Sequence, residues 1–250
     1  MIKKLSLGIM QPYFFPYIGY FQLLNTVDHW IAFDDIQFID KGWINRNRVL
    51  HPDIAKEWQY ITLPLSKRGQ FDKIRDIEID TRRDWRAQIL GKLTSYKKKA
   101  PYYLQTIKFL ERTLSSTETN LSNFVIKTLK TTADYIGIHT PISVQSEMDL
   151  KLGEIAHPGQ WALEISKSLG ATEYVNPLGG AGIFQEREFV QAGISLSFLE
   201  PVIENYSQKR ERFVPGLSII DVMMWNSKDA IKAHVNKATK LSAGAEFKGV

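Results

Sequence analysis

Asp34 and Asp35 close an apolar run and stand just ahead of Trp43, Asn45, Arg46, Asn47 and Arg48. A carboxylate in that place can accept hydrogen bonds from a hydroxyl or an amine, or take a proton from an amine nucleophile. Arginine forks match phosphate oxygens two at a time, and an indole offers a flat face for stacking. A second constellation, Asn176-Pro-Leu-Gly179-Gly180-Ala-Gly182, lies far along the chain and directly precedes a helical pattern. Glycines there let backbone N–H groups come close to a phosphate or carboxylate, and the helix dipole adds attraction. Asn176 could also donate to an oxyanion. The opening stretch Leu7–Leu24, LGIMQPYFFPYIGYFQLL, brings Gln11, Tyr13, Tyr17 and Tyr20 together in a proline-broken loop. His157 opens a further predicted helix, where it could reach the same site.

Each of these groups needs an element to hold it. Leu5–Met10 has the length and composition of a buried strand, and Pro12 and Pro16 end it because proline cannot donate to a sheet ladder. Ile18, Phe21 and Leu24 have helical spacing. Asp28–Phe33 reads as a second strand, and the segment 39–52 as largely loop, with Arg46–Leu50 able to extend into a strand. Trp58–Leu65 and Ile74–Ile79 both alternate, which predicts that they pair as a hairpin appended to the main sheet. Three helical faces follow, marked by Trp85/Ile89/Leu93/Tyr96, Tyr103/Ile107/Leu110/Leu114 and Leu121/Val125/Leu129/Ala133. Strands at Ile142–Val144, Thr172–Val175 and Ile194–Leu199 then alternate with helices at Gly159–Leu169, Ile183–Gln191 and Leu217–Trp225, with Gly170 closing the first of these helices and Ser218 available to cap the last.

That order predicts an α/β fold, a mostly parallel Rossmann-like sheet with an appended β-hairpin. Residues 1–250 are read as one domain, with a helical insertion over 82–137. The three chemical constellations all fall just past strand carboxyl ends, where an open parallel sheet places its ligand.

Composition narrows the classes. The 250 residues contain no cysteine, which excludes disulfides, thiolate metal sites and a thioester carried on the protein. The five histidines (29, 51, 139, 157 and 234) form no i,i+4 pair, and the lone Glu154-x-x-His157 is not a metal site, so no metal is expected. Thirty-two basic against 27 acidic residues give a net charge of +5, mild enough to favour an anionic small molecule over nucleic acid. No apolar run is long enough to cross a bilayer, and Met1-Ile2-Lys3-Lys4 leads into the first strand without a signal-peptide hydrophobic region, so a cytoplasmic protein is expected. No cofactor can be named.

QPYFFPYIGYF, FDDIQFIDKGWINRNR, TEYVNPLGG-AGIF and FVPGLSIIDVMMW together resemble the WbqC-like protein family of bacteria, over about Ile9 to Trp225. The resemblance implies a role in O-antigen or other surface-polysaccharide biosynthesis, with transfer of an aminoacyl or acyl group, glycine among them, onto an amino sugar. On that reading Arg46, Arg48 and Gly179–Gly182 hold the phosphate of a nucleotide-linked sugar. Tyr13, Tyr17 and Trp43 stack on base or sugar, and Asp34 or Asp35 serves the amine. The opening also resembles, distantly, the start of the nucleotidyltransferase-type fold, with Tyr17-Ile18-Gly19-Tyr20 in place of its H-x-G-H motif. A tyrosine hydroxyl cannot supply the cation of those histidines, which weakens the case for ATP activation. An adenylate-forming or nucleotidyltransferase-type enzyme and a non-catalytic nucleotide-sugar binding protein remain the alternatives.

Overall fold

Ser6–Met10 (β1) is a short apolar segment buried along nearly its whole length, as a strand inside a parallel sheet must be. The computed structural model describes residues 4–243; the reading of Met1 to Lys3 as a lead-in to β1 lies outside them, as do residues 244–250. From β1 the chain turns through the proline loop into helix α1 (Ile18–Thr26) and returns as β2 (His29–Ala32). Strands β3 (Arg46–Leu50) and β4 (Trp58–Thr62) follow, then helices α2 (Trp85–Lys92), α3 (Tyr103–Leu114) and α4 (Leu121–Ile136). The remainder alternates: β5 (Ile142–Val144), α5 (Gln160–Ser168), β6 (Glu173–Pro177), α6 (Glu186–Gln191), β7 (Ser195–Glu200), α7 (Ile219–Trp225), α8 (Lys228–Val235) and β8 (Thr239–Ser242).

The main sheet has six strands in the order β5-β2-β1-β6-β7-β8. The first five are parallel, with Leu7 opposite His29 on one side of β1 and Tyr174 on the other; β8 runs antiparallel along β7. The fold is therefore α/β with a mostly parallel sheet. From β1 the chain builds outward to β2 and β5, then crosses back to build β6 and β7 on the other side. The reversal between β1 and β6 is a topological switch point, and it opens a crevice at the strand carboxyl ends.

Successive strand residues face opposite sides, and the core divides accordingly. Trp30, Val175 and Leu199 join a large cluster with α1, the hairpin and α2–α4. Their neighbours Ile31, Tyr174 and Phe198 join a smaller cluster with Leu163 and Ile165 of α5 and Phe189 of α6.

Two expectations need correction. The hairpin exists, but as a separate two-stranded sheet whose partners are β3 and β4, from Arg46 opposite Thr62 to Leu50 opposite Trp58. Ile74–Ile79 is no strand. Its three isoleucines are all buried, and the first two, Ile74 and Ile77, are three apart, the repeat of the 3-10 turn at Ile74–Asp76. Only an isolated bridge between Leu65 and Ile79 remains of the expected pairing. The helix expected to begin at Ile183 begins at Glu186, because Leu178–Ile183 is itself a 3-10 segment.

One buried carboxyl ties distant parts of this fold together. Ser218 caps α7, accepting from the Ile220 N–H at 3.2 Å. One turn on, Asp221 is fully buried and accepts from Tyr96 Oη–H at 2.6 Å, Tyr206 Oη–H at 2.7 Å and Gln208 Nε2 at 3.0 Å. Tyr96 in turn accepts from the Leu50 N–H at 2.8 Å. A single side chain thus links the helical middle, the hairpin and the irregular segment before α7. Burial holds its pKa above the usual carboxylate range, against the opposing pull of those hydrogen bonds.

Candidate functional site

The crevice at the switch point consists of two chambers that share Met10, Tyr13 and Pro177 as wall residues. The larger encloses about 750 Å³ and the smaller about 320 Å³, so each falls within the size range of small-molecule sites. The ends of β1, β2 and β6 form the base through Gln11, Phe33 and Asn176.

The smaller chamber is built by the proline loop, α1 and β3. Phe15 takes a left-handed φ of +42°, a conformation that a bulky residue adopts only when its surroundings enforce it. They do so here: Asn47 Nδ2 donates to the carbonyls of Phe14 and Phe15 at 3.1 and 3.0 Å, and Ser218 Oγ donates to Phe15 O at 2.7 Å. The pinned loop presents Tyr13 and Tyr17 to the chamber, beside Tyr20 of α1. Gly19 makes room for this, since a Cβ there would stand 2.4 Å from the Tyr17 ring. Tyr20 donates to Gln11 O at 2.9 Å. Burial raises the pKa of all three phenols, so they act at neutral pH as hydrogen-bond donors and stacking faces, not as charges.

Arg48 supplies the charge. Its guanidinium lies 5.1 Å from the Trp43 ring centre and 5.2 Å from that of Trp58, in cation–π range of both. Its Nη2 makes a long 3.4 Å contact with Gly216 O, and its buried Nε has no partner. Among the described residues no carboxylate pairs with it. A guanidinium held by two indoles, with no carboxylate paired to it among the described residues, keeps the donor geometry that suits phosphate or carboxylate oxygens.

The larger chamber carries His157 and Asn176. His157 Nε2 lies 3.0 and 3.2 Å from the two oxygens of Glu188, which also accepts from Gln160 Nε2 at 3.0 Å. An ionised carboxylate only accepts, so the imidazole donates to Glu188 through Nε2–H and turns Nδ1 away from it. Glu188 lies on α6, and nothing in the local sequence pairs it with a histidine 31 residues earlier. The walls meet at a point of backbone contact: a Cβ on Gly159 would fall 2.2 Å from the Ile183 carbonyl oxygen.

The structure thus gathers Gln11, Tyr13, Tyr17, Tyr20, Trp43, Asn47, Arg48, His157, Asn176 and Gly180 on the walls of the two chambers. The other expected residues lie off those walls. Asp34 is buried, with Oδ2 accepting from Ser122 Oγ and Ser146 Oγ at 2.8 Å each and Oδ1 from the Ser146 N–H at 3.0 Å. Asp35 pairs with Lys73 at 2.8 Å and Arg75 at 3.0 Å. Asn45 braces the hairpin through Leu63 O, and Arg46 stacks 4.2 Å over Tyr60 while donating to the carbonyls of Lys41 and Gly42. Gly179 and Gly182 belong to the 3-10 segment, and Asn176 spends its amide on Pro177 O and its carbonyl on the Tyr174 hydroxyl.

Among the described residues, no helix is long and apolar enough to cross a membrane. No solved structure matches the chain. An uncharacterised protein, Rv1507c of Mycobacterium tuberculosis, is 28% identical over 225 residues, covering 89% of this chain and 93% of that protein. The model of the WbqC-like protein family matches residues 11–233, which include every wall residue of the two chambers except Ile9 and Met10, and the chain belongs to that family.

Proposed function

We propose that this protein is a cytoplasmic enzyme of surface-polysaccharide (O-antigen) biosynthesis that transfers an acyl or aminoacyl group to the amine of a nucleotide-linked amino sugar. The observation that carries this reading is Arg48, an unpaired guanidinium held between two indoles and opening toward a larger chamber that contains a histidine–carboxylate pair. The phosphates of the nucleotide bind Arg48, while Tyr13, Tyr17 and Trp43 supply the faces for base and sugar. The amine nitrogen attacks the carbonyl carbon of an activated acyl donor, forming the new N–C bond. Its proton passes to His157 Nδ1 and then to the leaving group as the carbonyl's bond to that group breaks. Asp34 and Asp35, already engaged by their own partners, hold the surrounding structure in this scheme.

Calorimetric titration with a UDP-linked amino sugar tests the reading. Arg48→Ala should weaken binding roughly 10- to 150-fold, the equivalent of about 1.5–3 kcal/mol for hydrogen bonds to a charged group. Arg48→Lys should recover only part of it. His157→Gln should leave the dissociation constant within about threefold of wild type and slow turnover by about 10²- to 10⁴-fold. Equal binding by wild type and Arg48→Ala would overturn the assignment of the anion site.

One observation favours a second reading. The parallel strands lie in the order third, second, first, fourth, fifth, the nucleotide-binding arrangement, with Tyr17 and Tyr20 at the start of the first helix. An adenylate-forming enzyme predicts ATP-dependent pyrophosphate release, which the acyl-transfer scheme does not.

A further inference from the structure

We infer that the larger chamber receives an aliphatic acyl chain, so that the group transferred is a fatty or branched acyl group and not an aminoacyl one. This rests on the acyl-transfer reading above and narrows its donor. Among the described residues, no Asp, Glu, Lys or Arg lines the chamber. Its walls are mainly Ile9, Phe33, Ile36, Ile155, Trp161 and Phe184. Of its polar groups, Asn176 is engaged by Tyr174 and Pro177, and His157 Nε2 by Glu188. What remains for a ligand is chiefly the Gln11 side chain, the Tyr13 hydroxyl, the Trp161 indole N–H and one imidazole nitrogen, with no carboxylate among them.

That inventory decides between occupants. A glycyl ammonium needs a carboxylate or several acceptors, and leaving a charge buried without them is costly. A ribose needs acceptors for two hydroxyls, a task usually given to an acidic residue at a strand end. The acidic pair at the end of β2 is turned away, Asp34 to Ser122 and Ser146, Asp35 to Lys73 and Arg75. An acyl chain needs only apolar wall and one polar end near the histidine. The mouth continues the same character: Ile39 and Ile183 line it while 57% and 51% exposed, an apolar rim that costs free energy unless something covers it.

The test is calorimetric titration of the wild-type protein with saturated carboxylates from butanoate to dodecanoate, below their micellar concentrations. Affinity should rise about fourfold per added methylene, then level off when the chamber is full. Glycine should show no binding. Ala156→Trp, an exposed wall residue, should move the plateau to shorter chains; Ile39→Trp at the opposite rim provides a second variant should the first fail to fold. Affinity independent of chain length, or glycine binding more tightly than octanoate, would overturn the inference. The amino-sugar nucleotide titrated in parallel separates the two proposals. If it binds through Arg48 while the chain series is flat, only the acyl-chain assignment falls. If the chains bind and the nucleotide does not, the transferase reading falls and the pocket assignment stands.

Discussion

Asp221→Ala should lower the free energy of unfolding by about 3–5 kcal/mol, read as a fall in the urea midpoint at unchanged slope. The carboxyl is completely enclosed and accepts from Tyr96, Tyr206 and Gln208, so its removal strands two buried donors and one half-buried donor at once. Asp221→Asn should cost less than Ala, because one amide oxygen still accepts, but its NH₂ now faces donors. The two proteins should also differ in their response to pH. In the folded chain, burial holds the Asp221 pKa above its unfolded value of about 4, so the folded state keeps this proton to higher pH than the unfolded state does. The contribution of the protonated carboxyl is therefore complete below about pH 4 and declines as pH rises through the raised folded value. The stability of wild type relative to Asp221→Asn should fall across that window and be flat above it. A difference that grows with pH instead would mean that the hydrogen bonds outweigh burial.

Asp34→Ala should cost roughly 3–5 kcal/mol, since hydrogen bonds to a charged group are worth about 1.5–3 kcal/mol each and do not simply add. Its three donors come from α4 and from the turn after β5, so Asp34 joins the helical middle to the sheet. Asp34→Asn should be milder. If the role is structural, turnover per folded molecule in the Asn variant stays within about threefold of wild type. A general base would behave in the opposite way, losing orders of magnitude in rate with little change in melting temperature.

The sequence carried the strand–helix alternation well, because each parallel strand is a short apolar run closed by a turn residue. It misplaced the hairpin because Ile77 and Ile79 of IRDIEI fit a two-residue repeat while Ile74 and Ile77 fit a three-residue one; all three are buried, so only the backbone turn at Ile74–Asp76 decides between them. The edge strand β8, TKLS, is largely exposed and has almost no apolar signal of its own; pairing along β7 alone makes it a strand. Among the site residues, Arg46 and Arg48 look alike in sequence and even share a face of β3. What separates them is tertiary: Tyr60 and the Gly42 turn engage the first, while Trp43 and Trp58 hold the second without neutralising it. Glu188 was illegible, since its meaning depends on α6 lying beside the start of α5.

The meeting of Gly159 with the Ile183 carbonyl has a consequence for how such a protein diversifies. The spacing between the two walls is set there by main chain against main chain, which no change of rotamer relaxes. Side chains elsewhere around the mouth, at Ile39, Ala156 and Ile183, can then be exchanged without altering the gauge of the crevice. Changes at the rim therefore alter the shape of the mouth while the sheet, the Arg48 guanidinium and the His157–Glu188 pair keep their places.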